Sequence, residues 1–276
     1  MIVDCHVHLN NYEEDTKPTL DLRLDALKTA MRRNRVDIAI TLTSYKVTPG
    51  RPSTRSVVEA TRDLPYVYVV AGLDYYSFTA DHLVELEDYV TEGKLRGLKL
   101  YPGYQTFYPA DPKWRPAYEF AAKHQIPVMI HTGDTYTPKG KLKYAHPLNV
   151  DEAAVDFPET NFLICHIGNP WIRDCMEVVY KNANVYTDIS GLVLGNFSDR
   201  FEKYMRKQLE EMLLFGVEPR NVLFGTDWPI SSMESYLDFM RDLATPEREK
   251  RRILADNAIA LYGLDPATGM FSARFA

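Results

Sequence analysis

Three cysteines among 276 residues are too few, and odd in number, for a disulfide framework. A reducing, cytoplasmic setting is the expectation. No apolar run reaches the roughly 18 residues of a membrane-spanning helix. The start of the chain lacks the charged and then apolar segments of a secretory signal, because Asp4, His6 and His8 interrupt it at once. Neither sign of charge dominates: 32 Lys and Arg against 38 Asp and Glu give a net charge of −6, with the two signs interspersed. Without a basic stripe or a polybasic run, neither nucleic acid nor a membrane surface is an expected partner. Repeats, low-complexity stretches and linkers are absent too, so residues 1–276 read as one domain.

What is present is an alternation. Short runs rich in β-branched residues recur at Ile2–His6, Val36–Leu42, Tyr66–Gly72, Leu95–Tyr101, Ile126–His131, Asn161–His166, Val185–Ile189 and Val222–Asp227. Amphipathic stretches separate them, such as Leu20–Arg33 with Leu20, Leu24, Leu27 and Met31 on one face. Further helices are expected from about Ser53, from a cap near Thr79, and from about Pro112 to His124. Eight strands, each followed by a helix, at this length predict an α/β fold of the (β/α)8 TIM-barrel type. The competing architecture is an open doubly wound sheet, but no glycine-rich phosphate loop follows the first strand. The segment Asp265–Ala276 is weakly patterned and is expected to pack on the barrel or on a partner.

In a barrel, residues at the C-terminal ends of the strands meet at one mouth. Those ends carry His6 and His8, Lys99, His131, His166 and Asp227. The spacing of His6 and His8 sends both imidazoles to one face of a strand and Cys5 and Val7 to the other. By the same alternation Cys165 is expected to face away from His166. Four histidines and a carboxylate in one place are costly to bury without partners, and metal coordination is the economical explanation. The bland alternatives are core histidines satisfied by hydrogen bonds, Asp227 as a helix cap, and Asp188 and Ser190 as structural hydrogen-bonders. His82 reads as solvated, His124 as a helix-end residue, and His146 as part of a turn.

The set resembles the amidohydrolase superfamily of metal-dependent barrel enzymes over nearly the whole chain. The resemblance runs through Asp4-Cys-His-Val-His8, His131, Cys165-His-Ile-Gly168, Gly225-Thr-Asp-Trp-Pro229 and Asn257-Ala-Ile-Ala-Leu-Tyr-Gly263. It is nearest the branch of aminocarboxymuconate-semialdehyde decarboxylase, aromatic-acid decarboxylases and sugar lactonases. The resemblance implies that His6, His8, His131 and Asp227 hold one zinc ion, with His166 contacting substrate or shuttling a proton. Leu98-Lys-Leu-Tyr-Pro102 is instead similar to a dihydroorotase segment. That implies a carboxylated Lys99 bridging two metals, with His166 on the second, or else an ordinary Lys99 ammonium pairing with a substrate carboxylate or with Asp227. One zinc is favoured, two remain open, and other divalent transition metals are not excluded.

Zinc brings the pKa of its bound water to about 7. Asp227 would accept the water's proton, and His166 would polarise a carbonyl or hold an oxyanion. The expected activity is hydrolysis of a small carboxylate-bearing or cyclic ester or amide. The alternatives are non-oxidative decarboxylation of an aromatic or unsaturated acid and, in another class, a non-catalytic binding barrel. Retention of His6, where some decarboxylases have glutamate, and Gly225-Thr-Asp-Trp-Pro229, which resembles a lactonase motif, favour hydrolysis. Tyr101, Tyr104, Phe107, Tyr108, Tyr136, Trp171 and Trp228 are candidate walls for a flat substrate. Arg51, Arg55 and Arg173 are candidate carboxylate clamps. Exposed aromatics make a homodimer conceivable.

Overall fold

The computed structural model describes residues 1–13 and 16–272. Eight parallel strands form one sheet in sequence order: β1 (Val3–Val7), β2 (Ile38–Leu42), β3 (Val67–Gly72), β4 (Leu95–Leu100), β5 (Val128–Ile130), β6 (Phe162–Ile164), β7 (Val185–Asp188) and β8 (Val222–Leu223). Between them run α1 (Leu20–Asn34), α2 (Thr54–Thr61), α3 (Asp81–Thr91), α4 (Arg115–His124), α5 (Asn149–Asp156), α6 (Ile172–Lys181) and α7 (Asp199–Leu214). After β8 come α8 (Met233–Arg241), α9 (Glu247–Arg251), a π-helical turn (Arg252–Asp256) and α10 (Asn257–Tyr262). This is the expected TIM barrel.

Local chemistry sets the helix starts. Thr19 and Ser53 each accept a backbone N–H from the first turn of α1 and α2, satisfying donors that a helix leaves free. Thr79 does not cap α3, which begins after Ala80 without a side-chain cap. The Thr79 amide and hydroxyl pair instead with Nδ1 of the exposed His82.

Two apolar layers follow from strand alternation. An outer layer packs Val7, Val69, Leu98, Ile130, Phe162 and Ile164 against the helices. An inner layer fills the barrel with Val3, Cys5, Ile40, Val70, Met129, Leu163 and Cys165, and α10 closes its lower end with Ala258 and Tyr262. Asn257 anchors α10 by donating to the carbonyls of Pro219 and Val222 at 2.6 and 2.7 Å. The described part of the tail lies on the barrel, where the Met270 amide donates to the Asp37 carbonyl at 2.8 Å. Residues 273–276 fall outside the described residues.

Closure between β8 and β1 is irregular. Cys5 N donates to Phe224 O at 3.0 Å, Asp227 N to His6 O at 2.8 Å and His8 N to Trp228 O at 2.7 Å. Asp4 reinforces the seam by accepting from the Thr226 hydroxyl at 2.6 Å and amide at 3.0 Å. Burial pushes the Asp4 carboxyl up to about 7. The bonds that close the barrel are thus the bonds that place His6, His8 and Asp227 side by side.

Candidate metal centre

All six polar residues expected at the strand ends line one cavity of about 590 Å³ at the barrel mouth, within the range of small-molecule sites. His6, His8, Lys99, His131, His166 and Asp227 are all buried. His6, His8 and Asp227 form a close group, each offering a donor atom within 4.8 Å of the others. His131 belongs to the same cavity but stands outside that group. Its ring lies 5.1 Å from that of His166 and 4.7 Å from that of Tyr104.

Hydrogen-bond partners fix which nitrogen of each imidazole is free. A carbonyl or carboxylate oxygen only accepts, so a ring nitrogen bonded to one must carry the proton. His6 Nδ1 donates to Asp188 Oδ2 at 2.8 Å, His8 Nδ1 to Leu42 O at 2.9 Å and His166 Nδ1 to Ser190 O at 3.0 Å. His131 donates through the other nitrogen, Nε2, to Asp134 O at 3.1 Å. In the neutral ring each therefore presents a lone pair on its remaining nitrogen.

Neutrality is favoured. Burial lowers His6 to about 4, against an opposing pull from Asp188, and burial likewise lowers His131 and His166. Burial works against charge on Asp227; a hydrogen bond from His8 and positive charge on His6, His8 and His166 pull it well below the usual carboxylate range only while those rings carry the extra proton.

The centre fits a cation. Asp227 Oδ1 lies 3.1 Å from His8 Nε2 and 3.8 Å from His6 Nε2. With Nδ1 of each ring already protonated, lone pairs face a carboxylate oxygen with nothing positive between them. A metal ion or an extra proton must supply that charge, and three buried N and O donors suit a catalytic divalent site.

Asp188 and Ser190, read from the sequence as structural hydrogen-bonders, bond to the imidazoles of this centre. Asp188 fixes His6, and its other oxygen accepts from the His166 amide at 2.9 Å. Ser190 Oγ lies 2.9 Å from Nδ1 of both His6 and His166. Asp188 ends β7 and Ser190 lies two residues beyond it, and that position at the same mouth was the available signal.

Two expectations about side-chain direction are corrected. Cys5 belongs to the inner layer and not to the face shared with Val7, because the pairing of β1 slips between Asp4 and Val7 and breaks the alternation. Cys165 faces inward by alternation with Ile164, and the turn that follows brings His166 to the same side instead of the opposite one. β6 ends at Ile164, and residues 165–168 form a tight turn with φ of 64° at His166 and 43° at Ile167. Both side chains of that turn reach the site, and Cys165 Sγ lies 2.6 Å from Lys99 Nζ. Lys99 makes no ion pair with Asp227; the thiol and the Tyr101 ring, 5.4 Å from Nζ, are its neighbours. With Nδ1 donating to Ser190, a neutral His166 ring presents a bare Nε2.

Among the candidate substrate contacts, Arg51 and Tyr101 line the cavity, together with Tyr12, Tyr45, Tyr104 and Tyr136. Arg51 bonds Ser44 Oγ at 3.2 Å and has no carboxylate partner among the described residues. Tyr101 donates to Thr43 O at 2.6 Å. Arg173 and Trp228 are not brought to this cavity. Arg173 is exposed on α6 and paired with Glu211 at 2.6 Å. Trp228 packs against the outer layer beside a separate groove between α1 and α8. Arg55 pairs with Glu85 on the surface, and His146 stacks on Trp171 at 4.7 Å outside the mouth.

Solved structures share this architecture. An uncharacterised TIM-barrel protein from Bordetella bronchiseptica is 19% identical, with a TM-score of 0.75 over 95% of this chain and 99% of that one. A probable 2-pyrone-4,6-dicarboxylic acid hydrolase from Acinetobacter baumannii, with citric acid bound, is 14% identical, with a TM-score of 0.71 over 95% and 99%. A dihydroxybenzoic acid decarboxylase from Polaromonas sp. JS666, with bound manganese and the inhibitor 2-nitroresorcinol, is 15% identical, with a TM-score of 0.67 over 95% and 96%. Comparison with curated protein sequences gives no match. The amidohydrolase family (Amidohydro_2) matches residues 3–264, so the chain belongs to this family of metal-dependent barrel enzymes.

Proposed function

We propose that the protein is a hydrolase that uses a divalent ion, zinc by preference, on a small carboxylate-bearing cyclic ester or amide. The observation that carries this reading is the fixed set of tautomers. Nδ1 of His6 and of His8 is committed to Asp188 and to Leu42 O, which leaves Nε2 of each ring facing the Asp227 carboxylate. His6, His8 and Asp227 would hold the ion, with His131 completing the set through Nδ1. Bound there, a divalent ion supplies Lewis acidity and a water of pKa about 7.

The chain's own residues account for the rest. The ionised Asp227 accepts the attacking water's proton and returns it to the departing oxygen or nitrogen. His166, neutral and with Nε2 bare, is a second proton acceptor at the same floor. Arg51, without an acidic partner among the described residues, offers its guanidinium to a substrate carboxylate, and the five tyrosines form walls suited to a flat ring. The three cysteines are unpaired and buried, in keeping with the cytoplasmic setting proposed for the chain. Among the described residues no helix is long and apolar enough to cross a membrane.

The test is a panel of carboxylated lactones and cyclic amides, run beside aromatic and unsaturated acids, with the zinc-loaded protein. Acid release without carbon dioxide, lost in Asp227→Asn, is the expected result. Carbon dioxide release with no hydrolysis would establish the decarboxylase alternative in its place.

A further inference from the structure

Cys165 sits at the centre of the barrel floor, and the hydrolytic reading gives it nothing to do. Its Sγ, one nitrogen of His6 and one of His166 lie within 4.8 Å of one another, and all three residues are buried. The His166 donor is free, since Nδ1 is committed to Ser190. Lys99, 1% exposed, places Nζ 2.6 Å from the same sulfur and has no carboxylate partner among the described residues. The group within its reach is the Cys165 thiol, which burial keeps protonated in the metal-free protein.

We propose that His6, Cys165 and His166 form a second, sulfur-bearing position for the divalent ion, alternative to the one at His6, His8 and Asp227. The proposal rests on the metal-dependent reading above. The two positions exclude each other because they share His6, whose Nδ1 is held by Asp188 and which has one nitrogen left to give. Occupying the second position exchanges the thiol proton for the metal: the S–H bond breaks, an S–metal bond forms, and one proton leaves per ion. A coordinated thiol is deprotonated outright, and the Lys99 N–H then donates to the thiolate.

Thiolate favours zinc and cobalt(II), while manganese and magnesium prefer oxygen donors. The identity of the metal would therefore decide where it rests: hard ions beside Asp227, softer ions shared between that place and the sulfur. The sulfur-bearing position lacks the Asp227 carboxylate that hydrolysis uses, so an ion resting there is held away from the hydrolytic position. The left-handed turn at His166 and Ile167 creates it by bringing His166 to the inner side that Cys165 already occupies by alternation with Ile164.

The experiment is cobalt(II) loading of the metal-free full-length protein, read by absorption. The expected spectrum contains visible ligand-field bands and a near-ultraviolet sulfur-to-cobalt band. The sulfur band disappears in Cys165→Ser and survives in Cys175→Ser, because Cys175 lies apart against the Thr187 hydroxyl. In Asp227→Ala, which removes the oxygen donor of the first position, the sulfur band strengthens. X-ray absorption at the zinc edge of the unaltered protein should show a sulfur neighbour at about 2.3 Å, and this reading stands even if Cys165→Ser fails to fold. Ligand-field bands without the sulfur band, and nitrogen and oxygen neighbours only at zinc, would overturn the proposal and leave the hydrolase reading in place. A sulfur band that falls in Asp227→Ala would overturn the exclusivity by putting carboxylate and thiolate on one ion. Failure of the unaltered protein to bind cobalt or zinc would remove the metal centre itself.

Discussion

Replacing Asp188 by Asn changes one oxygen to an N–H donor facing His6 Nδ1, now 2.8 Å from that oxygen. His6 would then be driven to the tautomer protonated on Nε2, the nitrogen its ligand role needs. Loss of such a supporting carboxylate costs about 10–100-fold in metal affinity, and that is the expected outcome of competition titration with a chromophoric chelator. Unchanged affinity would mean that Ser190 alone orients the ring. Arg51 gives a second prediction at this scale. Arg51→Ala should raise KM for a carboxylate substrate with little change in kcat, by about 10-fold or more if one charged hydrogen bond is lost. Arg51→Lys should recover only part, since lysine lacks the paired donors. A fall confined to kcat would move Arg51 from binding to chemistry. Residue types were legible from sequence alone, because histidine and aspartate at strand ends have few bland uses once they converge. Arg51 and Arg173 were not separable in that way: both follow strands, and only folded contacts show that Glu211 has already taken one of them.

The turn after β7 controls the site through a residue without a side chain. Gly191 has φ of 63°, and a Cβ built there would lie 2.5 Å from His166 Nδ1 and 2.9 Å from Asp227 Oδ2. Gly195 has a similar φ of 70° with nothing within 4 Å of such a Cβ. The two positions form a matched pair. Gly195→Ala should cost only backbone strain, about 1–2 kcal/mol, with metal content intact. Gly191→Ala should carry that same cost and also lose bound metal. Equal metal content in the two variants would show that the His166–Asp227 wall yields to a methyl group. The eight strands were readable as elements because their β-branched runs and spacing agree with the barrel. Their ends were less readable. β6 was expected to run to His166 but stops at Ile164, since the left-handed backbone of His166 and Ile167 leaves no mark in hydrophobic pattern. That Cys165 and His166 share a side was hidden for the same reason, and that Cys5 and Val7 do not share one was hidden by the slip in β1.

At the scale of the whole molecule, the barrel keeps its imidazoles neutral by burying them, and this makes stability depend on pH. His6 has a folded pKa of about 4, below its ordinary 6.5, and His131 and His166 shift the same way. Between pH 6.5 and about 4 the unfolded chain binds protons that the folded chain refuses, so stability falls as pH falls through that window. Asp4 acts in the opposite sense. Its folded value of about 7 lies above 3.8, so between those values the folded state holds the extra proton and acidification favours it. Three histidines against one carboxyl leave a net loss on acidification of the metal-free protein. The expected measurement is a urea midpoint that decreases from pH 6.5 to 4.5, and decreases more steeply in Asp4→Asn, where the opposing group is gone. Zinc-loaded protein should start from a higher midpoint and lose that advantage over the same range, as protons compete for the ligand nitrogens. A midpoint that rises on acidification would mean that the imidazoles carry their protons in the folded state. The lone pairs now directed at Asp227 would then be occupied, and no metal centre of the kind drawn here would form.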